Sequence, residues 1–231
     1  MKRRLVLLDI DGTILLSAGA GKRAIHAALA PEVDDPAAFE GIRFDGKTDP
    51  QIVIEMLTVA GQPAPTPERI DHLCRRYAGL LEAELERNGH RTRVLPGVHD
   101  LLDRLEGERS VVMGLLTGNI ARGAELKLRA AGIDHARFPV GAFGSDSAFR
   151  PELPPIAAQR AASHFGRPPS GEEVVIIGDT PADVTCGQSI GARAIAVATG
   201  SYPEQELAAA GAYAVFGDLG ATDLVMDAIL R

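Results

Sequence analysis

Two acids, Asp9 and Asp11, stand two residues apart at the point where an apolar run ends. Residues 5–8 form that run, and Gly12 and Thr13 follow the acids. A short continuous apolar run is typical of a buried parallel strand, and ligands of open α/β sheets bind beyond the carboxyl ends of the strands. Neighbouring carboxylates can divide nucleophilic and acid–base work in one reaction. The pattern therefore favours a catalytic site over an ordinary polar turn.

Two more apolar runs end in polar residues of the same kind. Thr117, Gly118 and Asn119 follow one of them, and Asp179 and Asp183 follow the other. Because the carboxyl ends of parallel strands meet at one edge of a sheet, we expect these residues to lie near the paired acids. A Thr-Gly-Asn turn alone is commonplace, but at this position its hydroxyl and amides suit a phosphate group.

The segments that must position these residues alternate between strand and helix. The apolar runs are residues 5–8, 111–116, 174–177 and 194–198, with helix-like segments between them. This alternation predicts an α/β fold with a doubly wound parallel sheet, completed by helix and a short strand in residues 201–231. Helical patterning without a comparable strand follows the first run. We therefore expect a catalytic core of residues 1–15 and 91–231 and an inserted helical cap of residues 16–90.

Three helices are predicted inside this insertion. They cover residues 24–29, 50–60 and 67–88. Thr66 before Pro67 resembles an N-cap followed by proline at the first helical position. Gly61 and Gly89 are typical of the residues that end helices.

Composition places the chain among soluble globular proteins. It has 231 residues, a formal net charge of −7 and only two cysteines. The negative charge gives no reason to expect a nucleic-acid partner, and no apolar run is long enough to span a membrane. Cys74 and Cys186 form no local motif and are expected to be buried small hydrophobic residues. We expect a reduced, cytoplasmic protein, and the sequence leaves its oligomeric state open.

The three strand ends, taken together with Arg150, resemble the haloacid dehalogenase superfamily. The Asp-x-Asp-Gly-Thr motif that begins at Asp9 is its strongest signal, and the acids after the third run reinforce it. The helical insertion resembles the cap that many members place after the first motif. The subgroup that contains phosphoglycolate phosphatases and β-phosphoglucomutases fits best.

This resemblance implies a role for each acid. Asp9 is expected to attack phosphorus and form an aspartyl phosphate, and Asp11 is expected to act as the general acid and base. Several acids around a phosphate would repel it without a cation, and Mg²⁺ suits oxygen ligands. By analogy, the ion binds the carboxylates of Asp9 and Asp179 and the backbone carbonyl of Asp11. Asp183 is expected to support the metal through water or to orient Arg150; the alternative, a helix N-terminal acid, is compatible with either role.

Two basic residues are candidates for the cation of the expected site. Arg150 stands where the superfamily more often has lysine, and its planar fork could bridge the phosphate and an aspartate. Thr117, Gly118 and Asn119 are expected to bind the same phosphate. Lys127 is a rival cation, but its place on a charged helix favours a solvated side chain.

Substrate selection is expected to depend on the insertion. Lys47 lies at the start of a predicted helix, where an anionic group would bind, and we interpret it as a specificity residue. Thr48 or Asp49 could instead be a simple N-cap before Pro50.

The resemblance predicts a Mg²⁺-dependent phosphatase that acts on a small phosphorylated metabolite. A sugar phosphomutase would use the same nucleophile and return the phosphoryl group to its substrate. A non-catalytic sensor of phosphate ligands is the alternative from another class, and the intact acids argue against it. A haloacid dehalogenase is disfavoured because its chemistry needs neither Asp11 nor the metal-binding acids.

Overall fold

The computed structural model describes residues 3–88 and 91–231. The predicted helix stop at Gly89 lies outside the described residues, as does the predicted end of the cap at residue 90. Within the described ranges, no helix combines the length and apolar character needed to cross a bilayer.

A six-stranded parallel sheet forms the centre of the fold. The strands of the structure are Arg4–Leu8 (β1), Leu15–Leu16 (β2), Arg93–Val94 (β3), Val111–Thr117 (β4), Val140–Phe143 (β5), Val174–Gly178 (β6), Arg193–Val197 (β7) and Ala214–Phe216 (β8). Their order in the sheet is β5-β4-β1-β6-β7-β8, whereas β2 and β3 form a separate antiparallel pair. All four predicted core strands are therefore present, with β1 at the middle.

Helices cover both faces of this sheet, as a doubly wound fold requires. The helices are Ala20–Leu29 (α1), Asp49–Val59 (α2), Pro67–Asn88 (α3), Val98–Gly107 (α4), Ala121–Ala130 (α5), Leu153–Arg160 (α6), Ala162–Phe165 (α7), Pro181–Cys186 (α8), Glu204–Ala209 (α9) and Thr222–Leu230 (α10). Val6 and Leu8 pack with α4 and α10 on one face, and Leu5 and Leu7 pack with α6 on the other. Because successive strand residues point to opposite faces, an uninterrupted apolar run is what a strand covered on both sides needs. The predicted fold class is confirmed.

The inserted helices α1, α2 and α3 pack around their own apolar cluster. Its fully buried members include Phe39, Met56 and Tyr77, and it also takes in Ile120 and Leu126 beside and within α5. The insertion is thus packed directly against a helix of the sheet-bearing part. The division into a core and a cap at residues 15/16 and 90/91 stays a prediction.

The helix bounds follow local sequence signals closely. Helix α3 spans the predicted residues, α1 begins four residues before the predicted start, and α2 begins at Asp49. The Thr48 hydroxyl caps α2 by accepting a hydrogen bond from the amide of Gln51 at 3.2 Å. The N-cap interpretation of Thr48 is therefore correct.

Strand β5 was not predicted. It has only four residues, includes Gly141 and lies at the edge of the sheet beside β4. Such a short segment lacks the continuous large apolar run that marks a central strand, so its pairing with β4 decides its conformation. The short strand expected near the C-terminus is β8. Cys74 and Cys186 are both buried and free, as expected.

Candidate active site

A cavity of about 380 Å³ opens at the carboxyl ends of β1, β4 and β6. The sheet-bearing part contributes the predicted acids, the residues after β4 and two buried cations to its wall. The inserted helices and their loops contribute the opposite wall. Among the residues that line it are Asp9, Asp11, Thr117, Arg150, Asp179 and Lys47.

Asp9 and Asp179, which line this cavity, belong to a cluster of three buried carboxylates. One oxygen from each of Asp9, Asp179 and Asp183 lies within 4.8 Å of the others. Burial, followed by the neighbouring Asp183 carboxylate, raises the pKa of Asp9 from 3.8 to about 7. The same two causes, in the same order, raise the pKa of Asp179 to about 9. Like charges crowded together and removed from water favour the protonated form.

The cluster has the composition of a divalent cation site. Three carboxylates face a single guanidinium, so two negative charges lack a partner when all are ionised, and carboxylate oxygens are ligands that Mg²⁺ prefers. Gly12 makes room for this arrangement: its φ is +84°, and a Cβ there would lie 2.3 Å from Oδ2 of Asp179. Thr13 donates a hydrogen bond to Oδ1 of Asp179 at 3.2 Å. The donor set fits Mg²⁺.

Arg150 is the cation nearest to the acidic cluster. It begins the short 3-10 helix Arg150–Glu152, and its guanidinium is only 5% exposed. Its Nη2 pairs with Oδ1 of Asp183 and lies 3.4 Å from Oδ1 of Asp9. Burial alone would lower the pKa of Arg150, but Asp183 and Asp9 outweigh it and the net shift is upward. The guanidinium therefore stays charged beside the expected nucleophile.

Asp183 makes two of the contacts that the sequence suggested, while its role toward a metal stays a prediction. Its Oδ2 accepts hydrogen bonds from the amide of Thr180 at 3.0 Å and from the Thr180 hydroxyl at 2.7 Å, which completes a capping box at the start of α8. Its Oδ1 forms an ion pair with Nη2 of Arg150. A helix-capping acid and an acid that orients Arg150 are thus the same residue.

The turn after β4 is buried and closely packed. Oγ1 of Thr117 accepts hydrogen bonds from the amide of Asn119 at 3.3 Å and from Nδ2 of Asn119 at 2.8 Å. At Gly118, a Cβ would lie 2.1 Å from the carbonyl oxygen of Lys47, so only glycine allows the inserted segment to approach. Thr117, Gly118 and Asn119 all line the cavity, as the phosphate-binding prediction requires.

Asp11 and Lys127 form a second charged group in the cavity wall. Nζ of Lys127 lies 2.6 Å from Oδ2 of Asp11 and 2.6 Å from Oδ1 of Asn119. Lys127 is only 4% exposed, so the prediction of a solvated side chain was wrong. Burial works to lower the pKa of Lys127, but Asp11 and Asp49 together produce a net rise.

A sequence signal for this burial exists. Lys127 lies three and seven residues after Ala124 and Ile120, which are both buried. Positions three, four and seven apart share one face of a helix. The helical spacing therefore indicates that Lys127 lies on the buried face of α5, although its charged neighbours in the sequence favoured a solvated side chain.

Asp49 is a buried acid that contributes to packing. The sequence did not reveal this role. Its amide donates to the carbonyl of Gly118 at 2.7 Å, and its Oδ2 accepts from the amide of Ile120 at 2.8 Å. Burial raises its pKa to about 6, although Lys127 and the Ile120 amide oppose the shift. Asp49 thereby attaches the start of α2 to the turn after β4. In the sequence, the one signal for this role was the place of Asp49 next to a possible N-cap.

Lys47 lies in the cavity wall contributed by the insertion. Its Nζ forms an ion pair with Glu55 of α2. The structure therefore brings Lys47 into the same cavity as the acids. Its role in choosing a substrate stays a prediction.

Comparisons with known proteins give one family and a consistent set of folds. A model of the haloacid dehalogenase-like hydrolase family matches residues 6–188. CbbY from Rhodobacter sphaeroides, solved in complex with phosphate, is 21% identical with a TM-score of 0.70, over 94% of this chain and 95% of that one. No curated protein sequence matches significantly.

Two further solved structures have the same fold. A predicted phosphoglycolate phosphatase from Haemophilus somnus is 19% identical with a TM-score of 0.65, over 98% of this chain and 99% of that one. A putative β-phosphoglucomutase from Bacteroides vulgatus is 18% identical with a TM-score of 0.68, over 99% of this chain and 89% of that one. At these identities the likeness concerns the fold.

Proposed function

The chain belongs to the haloacid dehalogenase-like hydrolases, and from that premise we propose that it is a Mg²⁺-dependent phosphatase of small phosphomonoesters. The membership confirms the resemblance that the sequence motifs predicted. The substrate class, the metal and the catalytic roles below are part of the proposal. So is the role of the inserted helices as a cap over the reacting groups.

One observation carries this proposal. Carboxylate oxygens of Asp9, Asp179 and Asp183 lie within 4.8 Å of one another, Asp9 and Asp179 line the cavity, and Arg150 lies beside Asp9. A phosphate dianion could not approach three ionised acids unless cations offset their charge. A divalent ion together with Arg150 supplies that compensation. The phosphate of CbbY's complex shows that a protein of this fold can bind the group.

The proposed reaction proceeds in two displacements at phosphorus. A carboxylate oxygen of Asp9 forms a bond to phosphorus while the ester P–O bond breaks, and Asp11 gives its proton to the departing alcohol oxygen. Asp11 then accepts a proton from water as that water's oxygen bonds to phosphorus. The bond to Asp9 breaks, inorganic phosphate forms and the Asp9 carboxylate is restored.

The remaining residues hold the transferring group. Arg150 and the hydroxyl of Thr117 are placed to stabilise its oxygens, and Gly118 and Asn119 complete that side of the site. Asp9, Asp179 and the backbone carbonyl of Asp11 would hold Mg²⁺, with Asp183 in support. When bound, Mg²⁺ neutralises charge on the phosphate oxygens and withdraws electron density from phosphorus.

The direct test is phosphate release from a panel of small phosphate esters, with Mg²⁺ and with a chelator. We expect release that requires the metal and differs between esters. Ligand binding without turnover in the presence of Mg²⁺ would contradict the proposal and favour a sensor. Turnover that needs a bisphosphate activator and yields an isomer instead of phosphate would indicate a mutase.

Mg²⁺ should stabilise the protein more at high pH than at low pH. Asp9 and Asp179 have folded-state pKa values of about 7 and about 9, above the ordinary 3.8. Their contribution to the stability of the metal-free protein is therefore fully present in acid and is lost as the pH rises through those values. Metal binding requires deprotonated carboxylates, so its affinity rises over the same range. Mg²⁺ at about 100 times its Kd adds about 2.7 kcal/mol to the free energy of unfolding.

Thermal unfolding at about pH 6 and about pH 9, with and without Mg²⁺, measures both effects. We expect the metal-free midpoint to fall between these pH values and the Mg²⁺-induced rise to grow. Asp179→Asn should remove most of the rise and make the metal-free midpoint less dependent on pH. A Mg²⁺ effect that is equal at both pH values, or unchanged in Asp179→Asn, would contradict the assigned site.

Lys47→Ala should raise the KM of the preferred substrate more than it lowers kcat. The Lys47 side chain lines the cavity and forms an ion pair with Glu55. A contact made equally in the ground state and the transition state affects KM alone. Steady-state kinetics on the two best substrates of the panel measures the split. Glu55→Gln is the matched control, because it frees Lys47 and should lower KM or leave it unchanged. Equal kinetics in Lys47→Ala and the parent would exclude Lys47 from substrate binding.

A further inference from the structure

We propose that Lys127 is a positioning residue that holds Asp11 in place for proton transfer. The inference rests on the proposed phosphatase function and adds a residue to its machinery. Among the described residues, Lys127 makes no hydrogen bond to Asp9, Asp179 or Asp183. Its contacts are instead to Asp11 and to Asn119.

These three residues form a closed ring of hydrogen bonds. Lys127 donates to Oδ2 of Asp11 at 2.6 Å and to Oδ1 of Asn119 at 2.6 Å. Nδ2 of Asn119 donates to the same Oδ2 of Asp11 at 2.8 Å. Two donors therefore converge on one carboxylate oxygen, which fixes the rotation of the Asp11 side chain.

The other oxygen of Asp11 remains available for chemistry. Within residues 3–88 and 91–231, Oδ1 of Asp11 has no hydrogen-bond partner, and the side chain is 41% exposed toward the cavity. One oxygen is thus anchored and the other is free to carry a proton. Such a division is what a general acid needs, because proton transfer demands a donor at a defined place.

The neighbours of Lys127 show that the site is built around its ammonium group. A Cβ at Gly21 would lie 3.3 Å from Nζ of Lys127, so α1 approaches the ammonium group closely at this glycine. Asp49 supplies a second negative charge nearby. A lysine is costly to bury unless it is paired, and these partners compensate it.

The two buried cations that the sheet-bearing part contributes to the cavity therefore have different partners. Arg150 pairs with Asp9 and Asp183 beside the expected nucleophile, and Lys127 pairs with Asp11 beside the expected acid. The two reacting carboxylates each have their own cation. Substituting one cation should therefore affect a different part of the reaction from substituting the other.

Leaving-group dependence distinguishes a positioning role from a merely structural one. Departure of nitrophenolate needs no proton, whereas departure of an alkoxide does. We expect Lys127→Met to slow kcat/KM for an alkyl phosphate by about 100-fold or more, the scale of general acid catalysis, and for nitrophenyl phosphate by less than about 10-fold. Asp11→Asn should show the same selectivity. Adding Lys127→Met to Asp11→Asn should cause little further selective loss.

Three further variants keep the test decisive. Arg129→Met changes an exposed cation on the same helix and should leave both rates unchanged. Lys127→Gln removes the ammonium group and replaces Lys127→Met if that variant does not fold. Asn119→Ala removes the second donor to Asp11 and also a proposed phosphate-binding group, so only the difference between its effects on the two esters bears on the proposal. Equal losses on both esters, or a selective loss that persists in full without Asp11, would overturn the proposal. A parent protein that releases no phosphate from either ester would contradict the proposed phosphatase itself, and this role of Lys127 with it.

Discussion

Asp9→Asn should abolish phosphate release while the protein stays folded. The amide that replaces the carboxylate is a very poor nucleophile, so no aspartyl phosphate can form. Loss of a nucleophile that acts as one unit with its acid–base partner costs on the order of 10⁴-fold or more in kcat. This is the largest effect that the proposed mechanism predicts, because no neighbouring group can substitute at the same position.

The substitution should not harm the fold. Burial is the main cause that raises the pKa of Asp9 to about 7, and repulsion from Asp183 and Asp11 adds to it. A neutral amide removes that repulsion. We therefore expect the metal-free variant to be at least as stable as the parent at neutral pH. Thermal unfolding checks this point, and rapid acid quenching followed by intact mass measurement should detect the phosphoryl group on the parent only.

Asp223→Asn is the matched control for this experiment. Asp223 lies on α10, and its side chain is 89% exposed and paired with Arg104. The same chemical change there should leave phosphate release unchanged. Phosphate release that survives in purified Asp9→Asn would rule out Asp9 as the nucleophile, and a parent that acquires the phosphoryl group elsewhere would do the same.

Arg150→Met should lower both stability and activity. The guanidinium is buried between Asp183 and Asp9, and removing one member of a buried ion pair costs about 3–5 kcal/mol because the remaining charge is uncompensated. Loss of a preorganised group that stabilises the transferring phosphoryl should lower kcat by about 10²–10³-fold. Urea unfolding without metal and steady-state kinetics with Mg²⁺ measure the two losses separately.

Arg150→Lys tests whether charge alone is enough. Lysine keeps the cation but lacks the planar fork that can contact two oxygens together, so we expect an intermediate loss of activity. Arg160→Met provides a control, because the Arg160 side chain is 46% exposed and its pair with Asp146 should contribute less than about 1 kcal/mol. If Arg150→Met resembled that control in both measurements, Arg150 would have no special place in the site.

The sheet and its acids were predictable because their signals are local. A strand covered on both faces needs consecutive apolar residues, and β1, β4, β6 and β7 each have such a run. Polar residues directly after those runs must lie at the carboxyl edge of a parallel sheet. The convergence of Asp9, Asp179 and Asp183 follows from that rule once the strands are adjacent.

Other features depended on partners that are distant in the chain. Strand β5 is too short to show a recognisable strand pattern in the sequence, and its pairing with β4 determines its conformation. The sequence predicted a solvated side chain for Lys127, and it offered only a helix cap for Asp49. A charged side chain can be buried only where opposite charges and donors meet it, and those partners are up to 116 residues away.

Residue order alone therefore determined the fold class, the strand ends and the acids gathered there, since apolar runs and the residues that interrupt them are properties of short segments. Only the tertiary structure decided how the charges are distributed. It placed Lys127 with Asp11, a pair that the sequence did not suggest, and it placed Arg150 next to Asp9 as well as next to Asp183, where the sequence expected it. Electrostatic pairing depends on distance and burial, and both arise only when the inserted helices and α5 pack around the cavity.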